Sequence, residues 1–482
     1  MNGTSIQWPY SKAIFHLIFL AGTLAGIVAH AQATGATQPP STSQSMQLPH
    51  QATPTTTLRH PGDIYKEAVH PLDVVRESMD NWSDPELGAL AAGIRKAKNA
   101  CAQANPQDYT GDDLYDLARL CALGQDWNAT HDIAVKYIAG GDESHRARAY
   151  ATNMNALIHL QDMDDAVEVA HEMLHKLPYD AVVAESVSYL TTYLQQSLNP
   201  RAIEVAVDHE PKLLEAFGSG VQLAELHGND VMSRGLLYDS IMEVAFVQRY
   251  GGADQQADDT LSNLKLTLSK AETVVSSTIE DRLIMNAVDA RYALLGSRIP
   301  EVEIYRSLLN PKSSQTTKPK INQAHGSLTV LLLFPEWCSQ CRKMMKPLTA
   351  LALAQSEAQT RAYGLMFQDS QSDIQQGSGQ VAGKDPIVKA PVDQSFLDAN
   401  DKELQGTPTL LVGPTTPRVF GAEEFPMGVV TDKDGKICFA GPLSSNAFDA
   451  HGFMEEILRR ISSGEHILPQ VDTKSEIPKS AN

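Results

Sequence analysis

The stretch Leu331-Leu332-Leu333-Phe334-Pro335-Glu336-Trp337-Cys338-Ser339-Gln340-Cys341 decides how the C-terminal third of this chain is read. An apolar run ending in an aromatic residue and then Cys-x-x-Cys, followed by Arg342-Lys343-Met344-Met345, sets two thiols where a buried strand turns into the first turn of a helix. Only a thiolate attacks a disulfide, and the unpaired backbone N–H groups and dipole at a helix N-terminus favour the thiolate. Cys338 is therefore the expected nucleophile. Cys341, three residues on and on the same helical face, is placed to attack a mixed disulfide and release the substrate.

Competing readings of the pair are weaker. A structural zinc site wants four ligands, and the other cysteines, Cys101, Cys121 and Cys438, form no second close pair, so no metal is expected. An inert structural bridge across so short a loop is strained and easily reduced. The segment resembles the thioredoxin-like fold, and in particular the TlpA/ResA-like branch of exported thioredoxin-like proteins. A peroxiredoxin-type peroxidase drops out, because its Thr or Ser three residues before the Cys is replaced by Pro335. The resemblance implies an α/β domain, a dithiol site that needs no cofactor, and a cis-proline packed against the Cys-x-x-Cys turn at the start of a later strand.

Two prolines compete for that place. Gly406-Thr407-Pro408-Thr409-Leu410-Leu411-Val412 has the usual local appearance, a Thr-Pro before an apolar strand. In Phe420-Gly421-Ala422-Glu423-Glu424-Phe425-Pro426-Met427-Gly428-Val429-Val430, an aromatic-Gly pair precedes the proline. A short strand then reaches the hairpin turn Lys433-Asp434-Gly435-Lys436. The resemblance implies Pro426, because the family carries an aromatic-Gly pair a few residues before its proline, and it implies that Trp337, Phe425 and Pro426 line the substrate groove. The strands are then Leu328 to Phe334, Tyr363 to Phe367, Thr409 to Gly413, Met427 to Thr431 and Ile437 to Ala440, with helices over 339–357 and 446–461.

The chain departs from the family pattern in three places. The buried Asp that many thioredoxins carry six residues before the first Cys is Leu332 here. The dipeptide Ser339-Gln340 matches neither the reductant nor the strong-oxidant type, so the direction of electron flow stays open. Residues 368–407 form a long polar insertion before the third strand, read as a solvated loop or short helix, with a border of the active-site face as the other reading.

The start of the chain points to export. Lys12, the apolar stretch Ala13 to Val28 and the small-residue pattern Ala29-His30-Ala31-Gln32-Ala33 read as a signal peptide over 1–33, cleaved after Ala31 or Ala33 or else retained as an anchor. Either way the thiols work outside the cytoplasm, in a periplasmic or extracellular setting where disulfides persist. With 39 basic and 58 acidic residues the formal charge is −19, which argues against nucleic-acid binding.

Length and 42% hydrophobic content suffice for more than one core. A disordered linker over 34–60 leads into an Ala- and Leu-rich α-helical block over 61–309. A linker over 310–327, the thioredoxin-like domain over 328–462 and a disordered tail over 463–482 follow. Within the block, Ala134, Ala170 and Ala206 recur every 36 residues, as do Asp126 with Asp162, Trp127 with Met163, and Ile138 with Leu174. Small residues at a fixed period suit close packing of paired helices, and the block resembles TPR-like helical arrays. The fold class expected is thus multidomain, an all-α TPR-like array followed by an α/β thioredoxin-like domain.

A helical array implies a surface for a peptide or protein, or a domain that merely packs on itself. A simple hairpin centred on 105–110 sets Cys101 opposite residue 114, about 10 Å along the axis from Cys121, so a bridge between them is not favoured. Cys438 reads as a buried free thiol. His171 and His175 have i, i+4 spacing but no third ligand at matching spacing. The function expected is an exported thiol:disulfide oxidoreductase acting on protein thiols and disulfides and served by a redox partner protein. The competing class is a TPR-like scaffold whose thioredoxin-like domain docks peptides with little turnover.

Overall fold

Apolar residues at helical spacing, with capping side chains at the breaks, make the N-terminal two-thirds helical. In chain order the helices are α1 (Pro61–Ser78), α2 (Asp84–Gln103), α3 (Asp112–Leu123), α4 (Trp127–Ala139), α5 (Arg146–Leu160), α6 (Met163–Lys176), α7 (Ala181–Gln196) and α8 (Arg201–Gly218). A hairpin of β1 (Leu223–Ala224) and β2 (Val231–Met232) precedes α9 (Arg234–Tyr250), α10 (Asp254–Ala271) and α11 (Ile279–Leu294). The structure, a computed structural model, describes residues 59–78, 84–140, 142–271, 277–308, 320–322, 326–355, 360–368, 404, 406–443 and 450–469. The signal segment 1–33, the linker 34–58, most of 310–327 and the insertion 369–403 lie outside the described residues. Among the described residues no helix is long and apolar enough to cross a membrane.

The 36-residue period has a counterpart in the helix connections. Gln125 and Gln161 both sit at φ 62°, and the Asp that follows each accepts a backbone N–H of the next helix, Asp126 from Ala129 and Asp162 from Asp165. The N–H of Gln125 donates to Ala122 O and that of Asp126 to Cys121 O. The same two bonds recur from Gln161 to Ile158 and Asp162 to Leu157, and from Leu198 to Gln195 and Asn199 to Leu194. Each helix therefore ends in a Schellman turn that satisfies its last carbonyls and releases the chain into the next cap. Ala134, Ala170 and Ala206 are fully buried, as close helix packing requires.

The chain divides into two compact units, residues 1–173 and 174–482. The core of the first is built from Ala97, Leu117, Leu120, Ile133, Tyr137 and Ala149. Here the sequence-based geometry needs correction, because Cys101 and Cys121 are bonded, with Cα atoms 5.0 Å apart. The bend between α2 and α3 centres on Gly111 (φ 55°), not on 105–110, and this moves the partner of Cys101 from 114 to 121. Gly124 permits the approach, since a Cβ there would lie 2.7 Å from Lys98 Cα. Replacing both cysteines by Ala removes a cross-link spanning 20 residues. The expected cost is about 3 kcal/mol, read as a lower midpoint of denaturant unfolding for the oxidised protein.

The second unit joins helices to a six-stranded sheet. Its strands are β3 (Ile304–Ser307), β4 (Thr329–Pro335), β5 (Arg361–Phe367), β6 (Thr409–Val412), β7 (Met427–Thr431) and β8 (Ile437–Pro442), in the order β3-β6-β5-β4-β7-β8. Its further helices are α12 (Ser339–Ala354), α13 (Thr416–Phe420) and α14 (Ala450–Ser462). β4, β5 and β6 run parallel, while β7, β8 and β3 are antiparallel to their neighbours. All seven residues of β4 are buried, as expected of a central strand covered on both faces. Leu331 and Leu333 share one core with Leu294 of α11 and Phe420 of α13. Leu332 alternates to the other face. Its partner across the parallel ladder is Gly364, and a Cβ there would lie 2.9 Å from the sulphur of Met345 on α12.

Two sequence-based boundaries shift. Ile304–Ser307, assigned to the helical block, is an edge strand paired with β6. Ile467 and Leu468, assigned to a disordered tail, are buried, and Leu468 N–H donates to Tyr250 O at 3.0 Å. Both stretches were hidden by their brevity. Tyr250 at the end of α9 also ties to β8: its hydroxyl donates to Ala440 O at 3.0 Å and accepts the Ala440 N–H at 3.3 Å. Gly296 N–H donates to Ile437 O and Ile437 N–H to Ser297 O, both at 2.7 Å. The end of the helical block thus belongs to the same core as the sheet, instead of ending at a joint over 310–327.

Candidate active site

The Cys-x-x-Cys turn grows out of the C-terminal end of β4. Glu336 N–H donates to Phe367 O at 3.0 Å, one step beyond the β4–β5 ladder, and Cys338 N–H donates to Pro335 O at 3.1 Å. Cys338 then caps α12: its Sγ accepts the Cys341 N–H at 3.2 Å, and its carbonyl accepts the Arg342 N–H at 3.2 Å. The Arg342 guanidinium donates to Glu336 O, which fixes the turn from the other side. Cys338 and Cys341 form a disulfide with Cα atoms 5.3 Å apart. Cys341 is fully buried, Cys338 is half-buried, and the neighbouring Trp337 is 57% exposed. Of the two residues, only Cys338 is partly exposed.

The Phe425–Pro426 peptide bond is cis, and no other cis bond occurs among the described residues. Topology separates Pro426 from Pro408. β6 runs parallel to β4 through β5, and Thr409 pairs with Gly364, the partner of Leu332, so Pro408 lies level with the middle of β4, away from the end that carries the cysteines; its carbonyl accepts Gly364 N–H at 3.1 Å. β7 is antiparallel to β4 and therefore begins where β4 ends, with Met427 opposite Leu333. Phe425 packs its ring 5.2 Å from that of Phe367, which pairs with Pro335. Cys338, Cys341, Trp337, Phe425 and Pro426 thus gather at one end of the sheet.

Leu332 is fully buried on the face covered by α12, so no carboxylate serves the strand position that sequence comparison with thioredoxins singles out. Cys438 is a free thiol whose Sγ–H donates to Val430 O at 3.3 Å. The residue is half-buried, and desolvation first, then the Asp432 charge, push the thiol up to about 12, which keeps it protonated near neutral pH. His175 Nε2 lies 3.1 Å from Asp208 Oδ2. In the first unit a cavity of about 240 Å³ opens among α4, α5 and α6. Val135, Ile138, Leu157 and Val169 form its apolar wall, with Asp165 and Glu168 among the polar residues lining it.

One ion pair between α9 and α11 was invisible in the sequence. Arg291 of α11 donates to Asp239 Oδ1 of α9 at 3.3 Å and lies over the Phe246 ring, 5.0 Å from its centroid. Glu243, one helical turn along from Asp239, is pushed up to about 7 by burial first and then by the nearby carboxylates of Asp239 and Glu424, against the pull of Arg291. Its partners come from sequence positions far apart, so no local motif announces it.

No family model and no curated protein matches the chain. Among solved structures the chain is similar to a thioredoxin-like protein from Aeropyrum pernix, at 15% identity over 29% of this chain and 79% of that one, with a TM-score of 0.20. That likeness is too slight to bear on activity; what the chain has is a helical N-terminal region, a mixed sheet, and a Cys338–Cys341 pair at the sheet's end.

Proposed function

We propose that this protein is an exported thiol:disulfide oxidoreductase, built on a thioredoxin-like domain of the TlpA/ResA-like type, that exchanges disulfides with protein substrates. The observation that carries the reading is the asymmetry of the pair: Cys338 half-buried at the N-cap of α12, Cys341 sealed beneath it. In the reducing direction the Cys338 thiolate attacks one sulphur of a substrate disulfide, forms the mixed disulfide and releases the other sulphur as a thiolate. Cys341, once deprotonated, attacks Cys338 Sγ and frees the second substrate thiolate. The protein is left with the Cys338–Cys341 disulfide, and two electrons have passed to the substrate. Run backwards, the same steps oxidise a dithiol. A redox partner protein resets the pair.

Trp337, Phe425 and Pro426 form the walls against which a substrate segment lies. The Cys101–Cys121 bridge supports an oxidising compartment, since structural disulfides persist outside the cytoplasm. The helical region, as a TPR-like array, recruits a peptide or protein partner, a reading supported by the cavity among α4, α5 and α6.

Equilibration in thiol–disulfide buffers followed by alkylation tests the reading. A single two-electron transition for Cys338/Cys341 together with catalytic turnover of a peptide disulfide supports the enzyme, whereas a fixed disulfide without turnover favours the scaffold. After reduction, alkylation near neutral pH is expected to label Cys338 well before Cys341, because only Cys338 reaches solvent and the N-terminal dipole of α12 favours its thiolate. Mass mapping of the labelled peptides checks this, and Cys341 reacting first reverses the roles.

A further inference from the structure

We propose that His171, His175 and Asp208 bind a single divalent transition-metal ion of the zinc class, a function separate from the redox reading and independent of the cysteines. The sequence set the two histidines one turn apart on α6 and offered no third ligand at matching spacing; the fold supplies it from α8. Residues at i and i+4 lie one above the other on a helix, so both imidazoles leave the same side of α6.

Two local facts fix the trio. His175 Nε2 lies 3.1 Å from Asp208 Oδ2, a contact inside the second unit, and α6 itself, unbroken from Met163 to Lys176, carries His171 one turn earlier. One nitrogen from each ring and one carboxylate oxygen lie within 4.8 Å of one another, the one such group of three among the described residues. A zinc ion bound tetrahedrally at about 2.0–2.1 Å separates neighbouring ligand atoms by about 3.3 Å. The His175–Asp208 spacing is therefore already that of a coordination edge. The 4.8 Å bound leaves the third atom no more than about 1.5 Å to travel, within reach of a side-chain adjustment.

The donor set selects the ion. Two imidazoles and one carboxylate suit Zn²⁺ and its first-row neighbours, whereas Ca²⁺ and Mg²⁺ take oxygen shells. Three protein ligands leave one tetrahedral position for water. His175 stands in the last turn of α6, where the helix dipole presents its negative end to a cation. Its side chain is 63% exposed and that of Asp208 24%, so an ion enters without opening the core. His209, next to Asp208, is no fourth ligand: it is fully buried, with Nε2 2.7 Å from the Tyr179 hydroxyl.

The test uses the full-length protein with the Cys338–Cys341 disulfide intact and without an affinity tag, so that neither that thiol pair nor an added histidine tract takes up metal. Zn²⁺ is titrated calorimetrically in a buffer that does not coordinate it. One ion per chain is expected, with binding weakened in each of His171→Gln, His175→Gln and Asp208→Asn. Losing an outer-shell partner costs roughly 10- to 100-fold in metal affinity, and losing a direct ligand costs no less. Co²⁺ reports the ligand set: the visible bands of a four-coordinate site are expected at one equivalent in the unmodified protein and absent in His175→Gln. Zn²⁺ is also expected to raise the thermal unfolding midpoint of the unmodified protein and not that of His175→Gln. Absence of a stoichiometric site overturns the proposal, as does affinity unchanged in the three variants. Weakening in His175→Gln alone marks a lone surface histidine and overturns it too. Should His171→Gln or Asp208→Asn not fold, the Co²⁺ spectrum of the exposed variant decides, and bands that survive in His175→Gln overturn the proposal. The thiols stay oxidised throughout, so failure here leaves the redox reading untouched.

Discussion

Cys341→Ser is expected to accumulate as a mixed disulfide through Cys338 when challenged with a peptide disulfide, with turnover reduced to background. The Cys338 sulphur keeps its place at the N-cap of α12 and its half-buried position, so the first attack survives. What is lost is the buried thiol, the one group positioned to break the new bond. Cys338→Ser removes the nucleophile and should form no adduct at all. Mass spectrometry of the intact protein distinguishes the two outcomes, and an adduct on Cys341 in Cys338→Ser would reverse the assignment. The wild type should also release its mixed disulfide slowly near neutral pH, since Cys341 is sealed and the face of β4 behind α12 offers Leu332 in place of an acid. Leu332→Asp should accelerate that release even as a buried carboxyl lowers stability.

Gly421→Ala is expected to destabilise the second unit by about 3 kcal/mol or more, the combined effect of a left-handed backbone position and an overpacked contact. The contact is with the α11 backbone, with 2.0 Å between the added Cβ and Ala287 O, and a backbone cannot swing aside as a flexible side chain can. Either α11 moves away or the loop does. Because Leu294 at the end of α11 shares a core with Leu331 and Leu333, displacement of α11 loosens the strand that feeds the cysteines. Denaturant unfolding followed by circular dichroism measures the loss. A change below 1 kcal/mol would show that the loop and α11 are not in the register described. Proteolysis offers a second view: cutting within 310–327 should not release a stable redox fragment, because the fragment would lack β3, α11 and Tyr250.

Several features of the site were legible in the sequence because they are local. The apolar run into Cys-x-x-Cys made a strand-to-helix turn, and β4 ending at Pro335 with α12 starting at Ser339 is that turn. Asp-Gly at 434–435 made a hairpin, and Gly435 takes the positive φ such a turn needs. Where local pattern competed with local pattern, at Pro408 and Pro426, the aromatic-Gly spacing pointed to the residue that heads the antiparallel strand. The 36-residue spacing was legible because the helices before Gln125 and Gln161 end in the same turn.

What the sequence by itself determined, then, is the helical character of the first two-thirds, the strands around the cysteines, and the place of Cys338 and Cys341 at a helix start. Those depend on residues within a few turns of one another. Tertiary structure alone decided the Cys101–Cys121 bridge, since a seven-residue shift in partner follows from where the bend sits and from how closely Gly124 lets α2 and α3 approach. It alone decided that β3, α11 and Tyr250 belong to the core of the sheet, because four-residue strands and single tyrosines leave no periodic trace. And it alone brought Arg291 of α11 against Asp239 of α9, because a contact between helices some fifty residues apart carries no signature along the chain.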